Sequence, residues 1–280
     1  MERFYSALDQ SEAAAAGTAV AAEDGAAASW EGARDVAGFP LEAVAAAAPL
    51  AATGARLALT TELSGAAREQ FRILRTRVLE AIQLRALRIL LVTSATAGEG
   101  KTTVAATLAL QFASLQQGRV LLIDGDLRRA GLSRLLQPAG GEGLARVLRG
   151  EADWEQEVVA IDAWLAVLPA SVCAAGGAEL LSGERLPALL QAVGEQFALV
   201  LVDGAPLGPV ADSQVLARAA DAALLVVRAG HTRVGEVERA AALLRPHLVG
   251  TVLNGSALAR DSYGYGYGEE RARQRTPAAA

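Results

Sequence analysis

Unbroken apolar runs, rather than alternating ones, recur through the middle of the chain. The runs cover residues 88–94, 119–124, 165–170, 198–203, 222–228 and 248–254. An unbroken run is typical of a strand that is buried on both faces, as in parallel sheets. Helical patterns separate most of the runs, at residues 101–116, 180–195, 211–220 and 232–245. This alternation predicts an α/β fold with a doubly wound, mostly parallel sheet and helices on both faces.

Both ends of the chain lack this pattern. Residues 1–60 are rich in alanine, glycine and acidic residues, which predicts a mostly disordered N-terminal segment. The folded domain is expected at 64–257, followed by a flexible tail at 258–280 that contains tyrosines. The N-terminus has no basic stretch leading into an apolar one, so no signal peptide is expected. The apolar window at 41–54 is short and contains proline, which makes it a poor membrane span.

Composition excludes several classes of function. The net charge is −5 and no block of basic residues is present, so a nucleic-acid partner is not expected. The single cysteine, Cys173, rules out an internal disulfide and fits a reducing cytoplasm. With only two histidines beside it, the chain cannot build a zinc site from soft ligands alone, and a redox or zinc enzyme is excluded.

A phosphate-binding loop is indicated at residues 95–102, which read "ATAGEGKT". The segment follows a predicted strand and opens a predicted helix, which is the context that this motif requires. Glycines at 98 and 100 let backbone N–H groups approach phosphate oxygens, and the helix dipole favours the same charge. The sequence therefore predicts a P-loop NTPase-like fold that binds ATP and Mg²⁺. The candidate nucleotide contacts are Ala97, Gly98, Glu99, Gly100, Lys101, Thr102 and Thr103.

Lys101 is the only lysine of the chain, whose other 25 basic side chains are arginine. A compact ammonium on a thin stem can reach the β- and γ-phosphates, whereas a forked guanidinium is bulkier. The phosphate loop thus explains why a lysine occurs here. The alternative is that the single lysine falls at this position by chance.

Acidic residues follow two of the predicted strands. The second strand ends in "LLIDGDLRR", with Asp124, Asp126 and Arg128, and the fourth ends in "LVLVDGAP", with Asp203. Ligands of doubly wound sheets bind at the carboxyl ends of strands, where all these acids lie. Mg²⁺, bound by the Thr102 hydroxyl and one or two carboxylates, relieves their repulsion with a triphosphate. Alternatively, each aspartate caps the following helix.

Together these segments resemble the bacterial tyrosine kinases, or BY-kinases, which govern capsule and exopolysaccharide export. The resemblance covers residues 64–267 and includes "EQFRILRTRV" (69–78), "GAELLSG" (177–183), "PVADSQVLA" (209–217) and "GTVLNG" (250–255). The chain departs from the family pattern at Ala130, where proline usually follows the arginine pair. It also lacks the usual prolines in "AAGGAELL" (174–181).

The resemblance implies an ATP-dependent protein-tyrosine kinase and suggests roles for its site residues. Lys101 stabilises phosphate charge, while Thr102, Asp126 and Asp203 hold Mg²⁺ directly or through water. Asp124 accepts the tyrosine proton, although the division of base and metal roles among the aspartates stays open.

Asn254 is the only asparagine of the chain and lies at the end of the last predicted strand. The resemblance implies that its amide contacts adenine, which suits a group that both donates and accepts hydrogen bonds. The alternative is an ordinary Asn-Gly turn.

Tyr263, Tyr265 and Tyr267 lie in "SYGYGYG", where alternating glycines offer no pattern for a core. The resemblance implies that they are phosphoacceptors for autophosphorylation, and the alternative is a low-complexity end. Eleven residues separate Asn254 from Tyr265 and span up to about 35 Å when extended. This reach can bring a ring to the site of a neighbouring subunit.

A helix is predicted at 65–86, with Phe71 and Ile82 among its apolar positions. Glu69, Arg72 and Arg75 follow at three-residue steps on an adjoining arc. The resemblance implies that these three residues form an oligomerisation strip that builds a ring. The alternative is a solvated face with local ion pairs.

The resemblance also implies partners: a membrane-anchored chain-length-determinant protein as activator, further copies of the chain, and a tyrosine phosphatase. The expected location is the cytoplasm, at the inner face of the membrane. One rival is a partitioning or septum-positioning ATPase, but these carry a second lysine where this chain has Thr96. Another alternative is a non-catalytic, nucleotide-dependent regulator of a polysaccharide co-polymerase.

Overall fold

The computed structural model describes residues 64–136, 143–173, 177–208 and 212–256. A seven-stranded sheet forms the centre of this part of the chain. The strands are β1 (Ile89–Ser94), β2 (Val120–Asp124), β3 (Val159–Ala160), β4 (Leu165–Leu168), β5 (Leu199–Asp203), β6 (Ala222–Arg228) and β7 (Leu248–Asn254). The helices are α1 (Gly65–Arg85), α2 (Lys101–Ala113), α3 (Gly131–Leu136), α4 (Leu144–Arg149), α5 (Trp154–Glu157), α6 (Gly177–Leu181), α7 (Arg185–Gln196), α8 (Asp212–Ala219) and α9 (Val234–Leu244).

The strand order across the sheet is β3-β4-β2-β5-β1-β6-β7. Neighbouring strands are parallel except for β3, which runs antiparallel to β4. The predicted α/β fold with a mostly parallel sheet is therefore confirmed. All six predicted apolar runs form strands, whereas the two-residue β3 was not predicted, because it is too short to produce an apolar run.

The central strands are buried on both faces. Successive side chains of a strand point to opposite faces, yet Leu90 and Leu91 of β1 are 1% and 0% exposed. Phe112 of α2 and Phe197 after α7 are also fully buried. Each such apolar side chain contributes about 1.5–3 kcal/mol relative to an exposed one. The continuous apolar runs of these central strands thus reflect helix cover on both sides of the sheet. The run at 248–254 was also expected to be buried on both faces, but β7 lies at the edge of the sheet and its residues are half-buried or exposed.

Several helices differ from their predicted bounds. The predicted helix at 180–195 is divided into α6 and α7, and the chain turns at Gly183, whose N–H donates to the carbonyl of Leu180. The short helices α3, α4 and α5 were not predicted, since six residues or fewer give too little periodicity to recognise. The long helix α1 begins after Ser64, whose hydroxyl caps it by accepting from the N–H of Ala67 at 3.2 Å.

Two predicted segments lie outside the described residues: the N-terminal segment at 1–60 and the tail at 258–280, with its three tyrosines. The domain boundaries therefore remain a prediction. In the described part of the chain, none of the helices combines the length and the apolar character needed to cross a membrane.

Candidate functional site

Three neighbouring parallel strands bring the candidate site residues together. In the sheet, β5 lies between β2 and β1, so their carboxyl ends share one edge. Asp124 at the end of β2 is the register partner of Asp203 at the end of β5. The predicted phosphate loop leaves β1 after Ser94 and enters α2 at Lys101. Residues that are about a hundred positions apart in sequence therefore form one site.

The phosphate loop has the backbone of an anion-binding loop. Gly98 and Gly100 have φ angles of +83° and +90°, which favour glycine. Among the described residues, none of the backbone N–H groups from 97 to 103 donates a hydrogen bond, whereas those of Thr96 and Val104 on either side do. This row of free donors lies at the N-terminus of α2, where the helix dipole favours negative charge. Ala97, Gly98 and Thr103 are exposed.

Lys101 lies between two carboxylates. Its Nζ is 3.2 Å from Oδ2 of Asp126 and 3.4 Å from Oδ1 of Asp203, and the side chain is 11% exposed. The same ammonium lies 3.4 Å from Oγ1 of Thr102. The chain's one lysine is therefore the cation of this cluster, and it belongs to the loop whose N–H groups are free.

Asp203 carries the most perturbed carboxyl of the site. The side chain is 0% exposed, and its Oδ2 accepts from the hydroxyl of Thr102 at 2.7 Å. Burial raises the pKa of Asp203 to about 7, while Lys101 acts in the opposite direction and Asp124 adds to the rise. A carboxylate in this environment is stabilised by additional positive charge.

The oxygens of Thr102, Asp126 and Asp203 fit Mg²⁺. They are hard ligands, and two of them are already joined by the 2.7 Å hydrogen bond from Thr102 to Asp203. No group of three or more His, Cys, Asp and Glu side chains in the described residues could hold a metal by itself. Mg²⁺ commonly uses one or two carboxylates together with waters and substrate phosphates, so a closed protein cage is not required.

Asp124 is held more tightly than its neighbours. Its Oδ2 accepts from both the N–H and the hydroxyl of Ser133, each at 2.8 Å, and its Oδ1 accepts from the N–H of Asp126 at 3.2 Å. The Ser133 hydroxyl in turn accepts from the N–H of Ala170 at 2.8 Å. Burial raises the pKa of Asp124, and the hydrogen bonds from Ser133 act against that rise. Asp124 therefore joins β2 to α3, and Ser133 in turn joins α3 to the segment that follows β4.

An ion pair connects the loop after β2 to α8. Nε of Arg128 donates to Oδ2 of Asp212 at 2.7 Å, and this bond raises the pKa of the Arg128 guanidinium. Asp212 is 1% exposed, and its second oxygen, Oδ1, has no hydrogen-bond partner within the described residues. Because Arg128 follows Asp126 by two residues, the pair holds the segment that carries Asp126. The sequence contained both residues in recognisable motifs but did not indicate that they pair.

Asn254 lies against the phosphate loop, where its Nδ2 donates to the carbonyl oxygen of Glu99 at 2.8 Å. A Cβ atom added to Gly100 would overlap this amide, so the loop and the end of β7 are in close contact. The predicted contact of Asn254 with adenine remains a prediction. Glu99 itself is 1% exposed and accepts from the N–H of Thr96 at 2.8 Å and from the hydroxyl of Thr232. No sequence motif indicated Thr232 or Ser133.

The predicted oligomerisation strip divides into two parts on α1. Glu69 and Arg72 are exposed and form a 3.3 Å ion pair with each other. Arg75 instead donates to the carbonyl of Gln111 in α2 at 3.3 Å. Burial lowers the pKa of Arg75, and the neighbouring Arg72 adds to the effect. Glu69 and Arg72 are therefore exposed, whereas Arg75 is partly buried, and the oligomerisation role of the three residues stays a prediction. Tyr263, Tyr265 and Tyr267 lie outside the described residues.

A glycine-containing loop between a buried strand and a helix, with acids at the ends of adjacent parallel strands, defines a P-loop NTPase-like protein. Residues 87–269 match a family profile described as "Cellulose biosynthesis protein BcsQ". The tyrosine-protein kinase YwqD of Bacillus subtilis is 36% identical over 203 residues, which cover 70% of this chain and 85% of YwqD.

A solved structure and a second relative are also similar to this chain. The kinase domain of the Escherichia coli tyrosine kinase Etk superimposes with a TM-score of 0.66 at 31% identity, covering 75% of this chain and 84% of that domain. The succinoglycan biosynthesis transport protein ExoP of Rhizobium meliloti is 35% identical over 179 residues, which are 60% of this chain but 22% of ExoP. The chain belongs to the bacterial tyrosine kinases, and it is an enzyme of the protein-tyrosine kinase class. The resemblance seen in its motifs is thus confirmed.

Proposed function

We propose that the protein is an ATP-dependent tyrosine autokinase that phosphorylates Tyr263, Tyr265 and Tyr267 in the tail of a neighbouring subunit. Through this reaction it regulates the polymerisation or export of a polysaccharide. The observation that most directly supports the proposal is the cluster around Lys101, whose ammonium lies 3.2 Å and 3.4 Å from two buried carboxylates beside free loop N–H groups. The transport function in the name of ExoP supports the link to polysaccharides.

The residues of the site have distinct tasks in this reaction. The free N–H groups of residues 97–103 bind phosphate oxygens, and Lys101 neutralises charge that develops on the transferred group. Thr102, Asp126 and Asp203 would hold Mg²⁺, which would supply positive charge to offset the negative charge of the phosphates. Asp124 is the proposed acceptor of the tyrosine proton. Because burial raises the pKa of Asp124, it is a stronger base than an exposed carboxylate.

The direct test is incubation of the full chain with Mg-ATP, followed by mapping of phosphate by mass spectrometry. We expect phosphate on the tail tyrosines, and its loss when Tyr263, Tyr265 and Tyr267 are all replaced by phenylalanine. Tyr5 is the only other tyrosine, so Tyr5→Phe is the matched control and should leave the phosphate in place. ATP hydrolysis without phosphorylation of tyrosine would instead identify a partitioning or septum-positioning ATPase. Binding without turnover would indicate a non-catalytic regulator.

Assembly is a second expected property. We propose that Glu69 and Arg72, which are exposed on α1, contact a neighbouring copy in a ring and so bring each tail to another subunit's site. Replacing both by alanine should reduce the sedimenting mass and lower autophosphorylation at the same protein concentration. Arg77→Ala with Glu80→Ala changes two exposed charges on the same helix and is the control. An unchanged sedimentation coefficient in the Glu69 and Arg72 variant would remove these residues from the interface.

The partner and the location follow from the same proposal. The kinase acts at the inner face of the membrane, where a membrane-anchored chain-length-determinant protein activates it, and a tyrosine phosphatase reverses its autophosphorylation. Adding the cytoplasmic segment of a candidate activator to the Mg-ATP assay should raise the amount of tail phosphate. The rival ATPases use a second lysine in the loop, and here Thr96 occupies that place and donates its N–H to Glu99.

A further inference from the structure

A carboxylate lies in the middle of a loop whose other groups are arranged to bind an anion. Glu99 is 1% exposed and forms no ion pair within the described part of the chain. Both of its oxygens accept hydrogen bonds from the protein, Oε2 from the N–H of Thr96 at 2.8 Å and Oε1 from the hydroxyl of Thr232. A buried carboxylate without a cation is costly unless hydrogen bonds compensate it, so these contacts determine where the side chain lies.

Thr232 is oriented toward Glu99 by its own surroundings. It lies between β6 and α9, and its Oγ1 accepts from the N–H of Arg228 at 3.3 Å. A hydroxyl has a single proton, which in this arrangement is donated to Oε1 of Glu99. The backbone N–H of Thr232 also donates to the carbonyl of Arg228 at 3.1 Å, which closes the turn after β6. The Thr232 hydroxyl is thus held in place by contacts with the end of β6 rather than by the phosphate loop.

Two further contacts join the same edge of the sheet to the loop. Nδ2 of Asn254, at the end of β7, donates to the carbonyl of Glu99 at 2.8 Å. Nη1 of Arg228, at the end of β6, is 3.5 Å from the carbonyl of Gly98. The ends of β6 and β7 are themselves joined, because the N–H of Ala229 donates to the carbonyl of Asn254 at 2.8 Å. The loop is therefore held at its carbonyls and at the Glu99 side chain, which leaves the N–H groups of residues 97–103 free.

We propose that Glu99, Thr232 and Asn254 form a tether that fixes the phosphate loop in its nucleotide-binding shape, and that Thr232 is a positioning residue for the nucleotide. This inference rests on the proposed binding of Mg-ATP by the loop. The tether holds the acidic side chain within the protein and draws the loop's carbonyls toward the sheet edge, so that its donors converge on phosphate. Without the Thr232 hydroxyl, one oxygen of Glu99 loses its donor inside the protein, and the loop must rearrange to satisfy it.

The test is the dissociation constant of Mg-ADP, measured by calorimetry on the full chain. Thr232→Val removes the donor at nearly constant shape, and we expect binding at least about fivefold weaker. Thr232→Ser keeps the hydroxyl and should stay within about twofold of the wild type. Thr251→Val makes the same change at an exposed position of β7 and is the control. Equal affinity of Thr232→Val and the wild type, or equal loss in Thr232→Val and Thr232→Ser, would overturn the tether.

A double-variant cycle separates this contact from a general loss of stability. Glu99→Ala removes both acceptor oxygens, and if the two residues act through one hydrogen bond, adding Thr232→Val should weaken binding little further. Fully additive losses would contradict the proposal, and Glu99→Ala alone tests it if Thr232→Val does not fold. Failure of the wild type to bind Mg-ADP would refute the proposed function together with the tether. Unchanged binding in the variants alone would refute only the tether.

Discussion

Replacing Lys101 by arginine is expected to lower the rate of tyrosine phosphorylation by at least about a hundredfold, although the charge is kept. The ammonium lies 3.2 Å from Oδ2 of Asp126 and 3.4 Å from Oδ1 of Asp203, in a space where the side chain is 11% exposed. A guanidinium is planar and forked, so it cannot occupy the position of a compact ammonium between these two carboxylates and the phosphates. The loss should appear mainly in kcat, because the loop N–H groups still bind the nucleotide.

The measurement is phosphate incorporation into the tail at saturating Mg-ATP, together with the affinity for Mg-ADP. Arg218→Lys is an exchange between the same two residue types at an exposed position of α8, and it should leave both values unchanged. If Lys101→Arg kept phosphorylation within tenfold of the wild type, charge alone would suffice at this position. The single lysine of the chain would then have no explanation in the geometry of the site.

Replacing Asp203 by asparagine is expected to abolish most phosphorylation while changing how folding stability depends on pH. The asparagine keeps an oxygen that can accept from the Thr102 hydroxyl, as Asp203 does at 2.7 Å in the wild type. It loses the negative charge that is proposed to hold Mg²⁺. We expect a loss of at least about a hundredfold in phosphate incorporation at saturating Mg-ATP. Activity near that of the wild type would exclude Asp203 from the metal site.

The stability of the metal-free protein gives an independent readout of Asp203. Burial raises the pKa of Asp203 to about 7, above the value of about 3.9 for an unfolded chain. The folded state therefore holds a proton that the unfolded state has released. The stabilisation from this proton is complete below about pH 4 and is lost as the pH rises through about 7. At about 1.4 kcal/mol per pKa unit, the change is about 4 kcal/mol.

Urea unfolding in the presence of EDTA, between pH 4 and pH 8, measures this change. The free energy of unfolding of the wild type should fall with rising pH relative to that of Asp203→Asn. Asp153→Asn alters an exposed aspartate and should follow the wild-type curve. Parallel curves for the wild type and Asp203→Asn would mean that the pKa of this carboxyl in the folded, metal-free protein equals its pKa in the unfolded chain. Lys101 would then compensate the buried charge more strongly than its 3.4 Å distance suggests.

Much of the fold could be predicted because most of its strands are short apolar runs buried on both faces, a feature that the sequence displays directly; β7, whose residues are half-buried or exposed, is an exception. The phosphate loop and the acids at 124, 126 and 203 were recognisable for a similar reason, since their spacing within each segment is fixed by local geometry. β3 could not be predicted, because its two residues pair with β4 only through the tertiary ladder of Val159 with Val167 and Ala160 with Ala166.

The hydrogen bonds of the site were harder to predict, because they join residues from different segments. Asp124 is fully buried and accepts bonds from Ser133, nine residues further along the chain, which gives it a positioning role beside its proposed role as a base. Likewise, Glu99 lies within a recognised motif, but its partner Thr232 is 133 residues away. Spacing within a motif predicts which backbone groups are free, whereas such side-chain partners depend on which strands become neighbours.

The position of β5 between β1 and β2 has a consequence for synthesis of the chain on the ribosome. β1 and β2 are made first, but in the finished sheet they never pair with each other, because residues 199–203 are inserted between them. Until this late segment emerges, the two earlier strands each expose an edge that awaits the same missing neighbour. Asp203 is the last residue of that segment. A nascent chain that does not yet include residue 203 therefore lacks the complete site, and a ligand of that site can stabilise only the chain in which β5 is present.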